Sequence, residues 1–208
     1  MTVGAGRATP PTARGRVTRE RIIRGAAALI YERGIAGTSL DDVCRATSTS
    51  KSQLYHYFAD KSALVCAVIA WQQDAVLNAQ QPYLGEFSTL AELRAWRDNL
   101  VHANSSWATF EGCPIGSLAS EVASDDTAAG QASVSAFEAW HRALSAGMQR
   151  IIDGGELAAG CNADSLALAL LAALQGGLLL SKTTKSGRPL EVSLDHALAA
   201  IDAQRVAA

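Results

Sequence analysis

The clearest chemistry in the chain lies in the run Ser50-Lys51-Ser52-Gln53-Leu54-Tyr55-His56-Tyr57-Phe58. Lys donates to guanine, Gln pairs with adenine, and Ser serves either base edge. Leu54 and Phe58 stand one helical turn apart, so a helix here has one apolar face to anchor it. Ser50, Lys51, Ser52 and Gln53 then fall at its exposed N-terminal end. Tyr55, His56 and Lys61 have the reach and polarity for phosphate oxygens, as does the helix start near Thr38. These eight residues form a candidate DNA-binding set.

A reading helix works only if other helices brace it. Thr18 is expected to cap a first helix, whose apolar stripe is Ile22, Ala26, Leu29 and Ile30, with Gly34 as its C-terminal stop. Ser39 and Asp42 form an Asp version of the capping box at the head of a second short helix. Thr47-Ser48-Thr49-Ser50 interrupts it, because hydroxyls there compete for backbone groups. A third helix runs from about Ser50 to Tyr57, and Asp60 caps a longer fourth. Three short helices, the last two joined by a tight polar turn, make a helix-turn-helix pattern.

Charge agrees with that placement. Residues 1–64 carry ten basic and five acidic side chains, and the remainder carries eight basic and fifteen acidic. A basic head on an acidic body suits contact with a polyanion through one end only.

Helical periodicity continues through the body, with no two-residue alternation and no Asn-Gly or Asp-Gly hairpin turn. Ser88-Thr89-Leu90-Ala91-Glu92 reads as a capping box, Pro114 as the first residue of a helix, and Asp125-Asp126 and Asp164 as two further helix starts. The expected fold is all-α with about nine helices. Residues 1–17 are expected to be a flexible basic arm, 18–64 a helix-turn-helix domain, and 65–208 a helical ligand-binding and dimerisation domain.

Several classes are disfavoured. The four cysteines stand 22, 47 and 48 residues apart and include no C-x-x-C, so they read as free thiols in a reducing compartment. No nucleophile elbow, zinc-protease helix or phosphate-binding glycine loop occurs. No enzyme activity, cofactor or metal is expected. Cys113, ahead of Pro114, sits where a helix N-terminus can activate a thiol, although a buried Cys is the commoner outcome. Met1 to Gly15 lacks the apolar core of a signal peptide. Leu166 to Leu180 is apolar but shorter than the roughly 20 residues that span a bilayer. A cytoplasmic protein without a membrane partner is expected.

The segment from Thr18 to about Ile69 resembles the TetR family of transcriptional regulators. The matching residues include Ile22-Ile23, Gly34, Thr38 to Val43, Lys51, Leu54-Tyr55-His56-Tyr57-Phe58 and Lys61-Ser62-Ala63-Leu64. The resemblance implies a homodimer with a small-molecule effector that releases it from an operator. The turn departs from the family pattern: Ser48 and Thr49 stand where Gly and Val are common. Gly112 to Glu121, with Leu174-Gln175-Gly176-Gly177-Leu178-Leu179-Leu180, resembles the lincomycin- and flavonoid-responsive LmrA/YxaF-type branch. That implies an aromatic or drug-like effector.

A cavity for such a molecule needs apolar and aromatic walls with a few polar groups. The candidate ligand-binding residues are Trp71, Trp107, Phe110, Cys113, Phe137, Trp140, His141 and Gln175. Gln175, inside an apolar helix, must find a partner in a ligand, a water or a second subunit. Leu166 to Leu180 is apolar all round and the last helix is amphipathic, so the two are expected to form a dimer surface through Leu170, Leu174, Gly177, Leu194, Leu198 and Ile201. Two identical heads would read a palindrome with half-sites about 34–36 Å apart. The expected function is a ligand-responsive repressor that binds double-stranded DNA as a homodimer, with the fourth helix as the lever between domains. The alternative is a helical homodimeric small-molecule-binding module without specific DNA readout.

Overall fold

Several helices here start where a side chain satisfies free backbone amides. The structure, a computed structural model, describes residues 12–105, 112–122 and 127–206. Ten helices run through them: α1 (Ala13–Arg33), α2 (Leu40–Ala46), α3 (Lys51–Tyr57), α4 (Lys61–Ala79), α5 (Tyr83–Glu86), α6 (Leu90–Ser105), α7 (Pro114–Val122), α8 (Thr127–Asp153), α9 (Ala163–Thr184) and α10 (Arg188–Asp202). No strand occurs among the described residues, whose only β pairing is an isolated bridge between Leu157 and Arg205. The tenth helix, absent from the sequence reading, is α5. Its four residues are too few to show a periodicity.

The first helix starts earlier than expected. Thr12, not Thr18, is its cap, accepting from the Gly15 amide at 3.1 Å. The Thr18 hydroxyl instead donates to Arg14 O one turn back. Nothing from residue 13 to 17 breaks a helix strongly enough to delay its start, so those residues join α1 rather than an arm. The rest of the expected arm lies outside the described residues. At the other end Gly34 stops α1 with φ 74° and donates to Ile30 O, as Gly does where the backbone turns left-handed.

The other caps mostly follow the sequence reading. Ser39 and Asp42 close the capping box of α2, and Asp60 accepts from Ala63 N at 2.8 Å at the head of α4. Thr89 and Glu92 exchange bonds at the head of α6. Asn162 rather than Asp164 caps α9, accepting from Ser165 N. The Asp125-Asp126 start lies outside the described residues.

The chain divides into two compact units, Met1–Val68 and Ile69–Ala208, with the division inside α4. The first has Ile22, Ile23, Ala26 and Ile30 of α1, Val43 of α2 and Leu54 of α3 at its core. In the second, Trp140, Leu144, Met148 and Ile151 form the buried stripe of α8, which packs on α9. Phe87 lies over Gly147, with the Arg150 guanidinium 5.9 Å from the ring and donating to the carbonyls of Phe87 and Gly85. Arg97 of α6 pairs with Asp195 of α10 at 2.7 Å, and Arg94 pairs with Asp202.

The expected dimer residues are corrected here. Leu170, Leu174, Gly177, Leu194, Leu198 and Ile201 are all buried within one chain. They form the seam where α9 packs on α10 and α8. A side chain at Gly177 would come within 2.8 Å of Leu190 Cα. Periodicity marks an apolar face but not what covers it. Because α9 is apolar all round, its second face carries Leu168, Ala172, Gly176, Leu179 and Leu180 exposed. Helix α9 has 22 residues, longer than the apolar run suggested. It is the one helix among the described residues long and apolar enough to cross a membrane, by length and composition alone.

Candidate nucleic-acid interface and interior cavity

The turn between α2 and α3 is held by its own hydroxyls. Thr47 donates to Val43 O at 2.7 Å, and Thr49 donates to Thr47 O at 3.2 Å. Both threonines are buried. Arg21 of α1 donates to the Thr47 carbonyl, and the Thr47 methyl lies against Gly25. Ser48 takes the left-handed conformation, φ 49°, that Gly would adopt with less strain. Thr49 thus contributes hydrogen bonds where Val would contribute only apolar area.

Helix α3 rests on Leu54, fully buried, and on Phe58 just beyond its end. The Arg19 guanidinium of α1 stands 5.4 Å from the Phe58 ring. That anchoring turns Lys51, Ser52, Gln53, Tyr55 and His56 outward, and all five are exposed. Ser50, also exposed, caps the helix: its hydroxyl accepts from Gln53 N at 3.2 Å, while Gln53 Oε1 accepts from Ser50 N at 3.1 Å. The Gln53 oxygen is therefore occupied within the free protein. His56 packs edge-on to Tyr57, with ring centroids 4.9 Å apart. Lys61, the first residue of α4, is half-buried.

Two features of this surface were not visible in the sequence. Lys51 Nζ lies 2.9 Å from Asp41 of α2, and the bond to that carboxylate holds the ammonium above its ordinary pKa. The two residues stand ten apart across a turn, outside the three- and four-residue spacings that reveal helix pairs. Thr38 is a correction: it is buried, and its hydroxyl donates to Gly34 O at 2.9 Å. It ties the end of α1 to the start of α2 and does not present a polar group to a duplex.

Two hollows lie among the described residues of the second unit. The larger, about 720 Å³, is a surface groove along α7 and α9, lined in part by Phe137, Gln175 and the exposed Glu121, Leu179 and Thr183. The smaller, about 260 Å³, lies among α4, α6, α9 and the start of α7, with Trp140 of α8 in its wall. Val76, Leu100, Leu174, Leu178 and Leu190 give it apolar walls. Its polar lining comes from Gln72, Gln80, Asn99, Asn104 and Trp140. Gln80 is satisfied, accepting from Trp96 Nε1 at 3.0 Å and donating to Val76 O. Asn104 is not: it is 4% exposed, and neither Nδ2 nor Oδ1 has a hydrogen-bond partner. Trp140 Nε1 is likewise unpaired.

The candidate ligand residues therefore separate. Cys113 borders both hollows, Trp140 the smaller, and Phe137 and Gln175 the larger. Burial pushes the Cys113 thiol pKa up, against the lowering effect of the bond that Gly116 N donates to Sγ at 3.3 Å. Cys113 is thus a neutral thiol, not an activated one. His141 Nε2 lies 3.0 Å from the Asp164 carbonyl, a link to the start of α9, and the ring lines neither of these two hollows. Trp71 also lines neither. Trp107 and Phe110 lie outside the described residues. Asn104 had no mark in the sequence, since a buried Asn on a helix has the same spacing as a solvated one.

A braced helix with an exposed polar end is the arrangement of a helix-turn-helix DNA-binding protein. Residues 22–68 match the model of the bacterial regulatory proteins of the tetR family. Residues 89–196 match that of the LmrA/YxaF-like transcriptional regulator C-terminal domain. The chain belongs to the TetR family of transcriptional regulators, with a body of the LmrA/YxaF-like kind. Its relatives include an HTH-type transcriptional regulator in the lacX 3′ region of Lactococcus lactis subsp. lactis, 29% identical over 86% of this chain and 91% of that protein. Another is the transcriptional regulator AcuR of Cereibacter sphaeroides, 26% identical over 84% of this chain and 80% of that one. A TetR transcriptional regulator from Chloroflexus aurantiacus superposes with a TM-score of 0.81 at 27% identity, covering 94% of this chain and 100% of that one.

Proposed function

We propose that this regulator is a cytoplasmic repressor that binds a palindromic operator as a homodimer and leaves it when a small, largely apolar molecule enters the body. The observation that carries the reading is the exposed N-terminal half of α3, fixed from below by Leu54 and Phe58. Ser50, Lys51, Ser52 and Gln53 address base edges, and Tyr55, His56 and Lys61 address phosphates. Phosphate contacts supply most of the affinity and make it salt-dependent. On DNA, Lys51 must exchange Asp41 for a guanine.

The exposed face of α9, with Leu168, Leu179 and Leu180, supports pairing of two chains there, since water-exposed leucines at helical spacing favour a partner. Release requires an effector that binds better to a conformation whose heads are mis-spaced for the operator. Gln72, Ala75, Val76 and Ala79 of α4 line the smaller cavity, so an occupant there touches the helix within which the two units divide.

Selection of bound duplexes from a random pool tests the reading. A palindromic consensus that loses base preference when Lys51 or Gln53 becomes Ala is the expected result. Binding without sequence preference would overturn it.

A further inference from the structure

The smaller cavity contains groups that only a particular kind of molecule would satisfy. Among its described lining residues there is no Asp, Glu, Lys, Arg or His. Those residues offer a charged ligand no counter-charge to offset its desolvation cost. Yet the cavity is not purely apolar. Asn104 brings a carboxamide whose donor and acceptor are both unpaired, and Trp140 brings an unpaired indole N–H. Both side chains are more than nine-tenths buried. Buried polar atoms in folded proteins are almost always paired, so three unpaired atoms on two residues that line one cavity point to a partner that would reach them from it.

The partner's size follows from the space. An apolar cavity of about 150 Å³ accepts benzene, and drug-sized ligands occupy about 300–1,000 Å³. At about 260 Å³ this cavity has room for one substituted ring. The partner's polarity follows from the atoms. Asn104 Oδ1 needs a donor and Nδ2 an acceptor, which an N–H next to a C=O supplies together, and Trp140 Nε1 takes a further acceptor lone pair.

We propose that this cavity selects a neutral, single-ring molecule that carries an adjacent hydrogen-bond donor and acceptor, an aryl carboxamide or lactam, held by Asn104 and Trp140. This rests on the effector reading given above. It commits that reading to one cavity and one ligand chemistry, and sets the surface groove along α9 aside.

The test is titration calorimetry of the full chain without DNA, using benzamide, benzoate and ethylbenzene. Benzoate keeps the shape but adds a charge; ethylbenzene keeps the ring but has neither donor nor acceptor. One benzamide per chain, bound at least about tenfold more tightly than either comparator, is expected. Asn104→Leu should reverse the order of benzamide and ethylbenzene, and Trp140→Phe should weaken benzamide about tenfold while leaving ethylbenzene nearly unchanged. If either variant fails to fold, the wild-type ranking still decides. Benzoate equal to benzamide, or no benzamide binding at millimolar concentration, overturns the proposal. A gel shift with the selected operator separates the two readings. Benzamide that binds without releasing DNA supports the site and refutes the effector role. Release by a compound whose binding is indifferent to both variants refutes the site and leaves the effector role standing.

Discussion

Replacing Gly25 with Ala tests how α3 is held. In an ordinary helix interior that change stabilises by about 0.5–1 kcal/mol, because Ala loses less backbone entropy. Here the new Cβ would lie within 3.0 Å of Thr47 Cγ2. Thr47 cannot simply rotate away, since its hydroxyl is bonded to Val43 O and its position is buried. Overpacking of this kind costs about 1–3 kcal/mol. Set against the propensity gain, the net loss is about 0–2.5 kcal/mol, up to several degrees in melting temperature for a chain this long. Because Thr47 begins the turn into α3, operator affinity should fall as well. Thr47→Ser removes the colliding methyl and keeps the hydroxyl. Alone it should cost about 0.5–1.5 kcal/mol. Combined with Gly25→Ala it should cost less than the sum of the two, by about 1 kcal/mol. Denaturant unfolding of the four proteins, with operator binding beside it, completes the cycle. Additive losses, or a Gly25→Ala protein more stable than its parent, would refute the packing described between α1 and the turn.

Ser48→Gly should raise the melting temperature slightly, and Ser48→Val should lower it, because a β-branched residue resists a positive φ; equal melting of the two would show that position 48 is not left-handed. Lys61→Ala should weaken binding to every duplex and flatten its dependence on salt, as measured by fluorescence anisotropy across a salt series; a loss confined to the operator would contradict a phosphate role. Asp41→Asn should release Lys51 and strengthen binding to any duplex at low ionic strength, with the gain shrinking as salt rises; unchanged binding would show that the pair does not persist in solution. Leu168→Asp should shift sedimentation from dimer to monomer without lowering stability, since the residue is 59% exposed; an intact dimer would place the interface elsewhere.

What was legible in the sequence was local. Ser39 with Asp42, and Gly34, announce their roles within one helical turn, and Leu54 with Phe58 fixes which side of α3 faces inward. These features depend on three- and four-residue spacing, which the chain carries on its face. What was not legible depends on distant partners. The hydroxyl of Thr38 turns inward because Gly34 O is free at the end of α1. Lys51 finds Asp41 only once the turn brings the two helices together. The leucines of α9 could face α10 or a second chain, and the sequence carries no sign of which ones do. His141 and Trp140 stand one residue apart, yet one reaches a backbone carbonyl and the other a cavity.

The cap of α3 has a consequence for base choice. Gln53 spends its oxygen on the amide of Ser50, which leaves only its NH₂ to offer outward. To grip adenine with both arms, the side chain must first unlatch the helix it belongs to. A base edge that only accepts can be greeted with the latch closed. If Gln53 reads the operator, part of its base preference is written into the protein's own end-group, as a toll on one kind of recognition that the other does not incur.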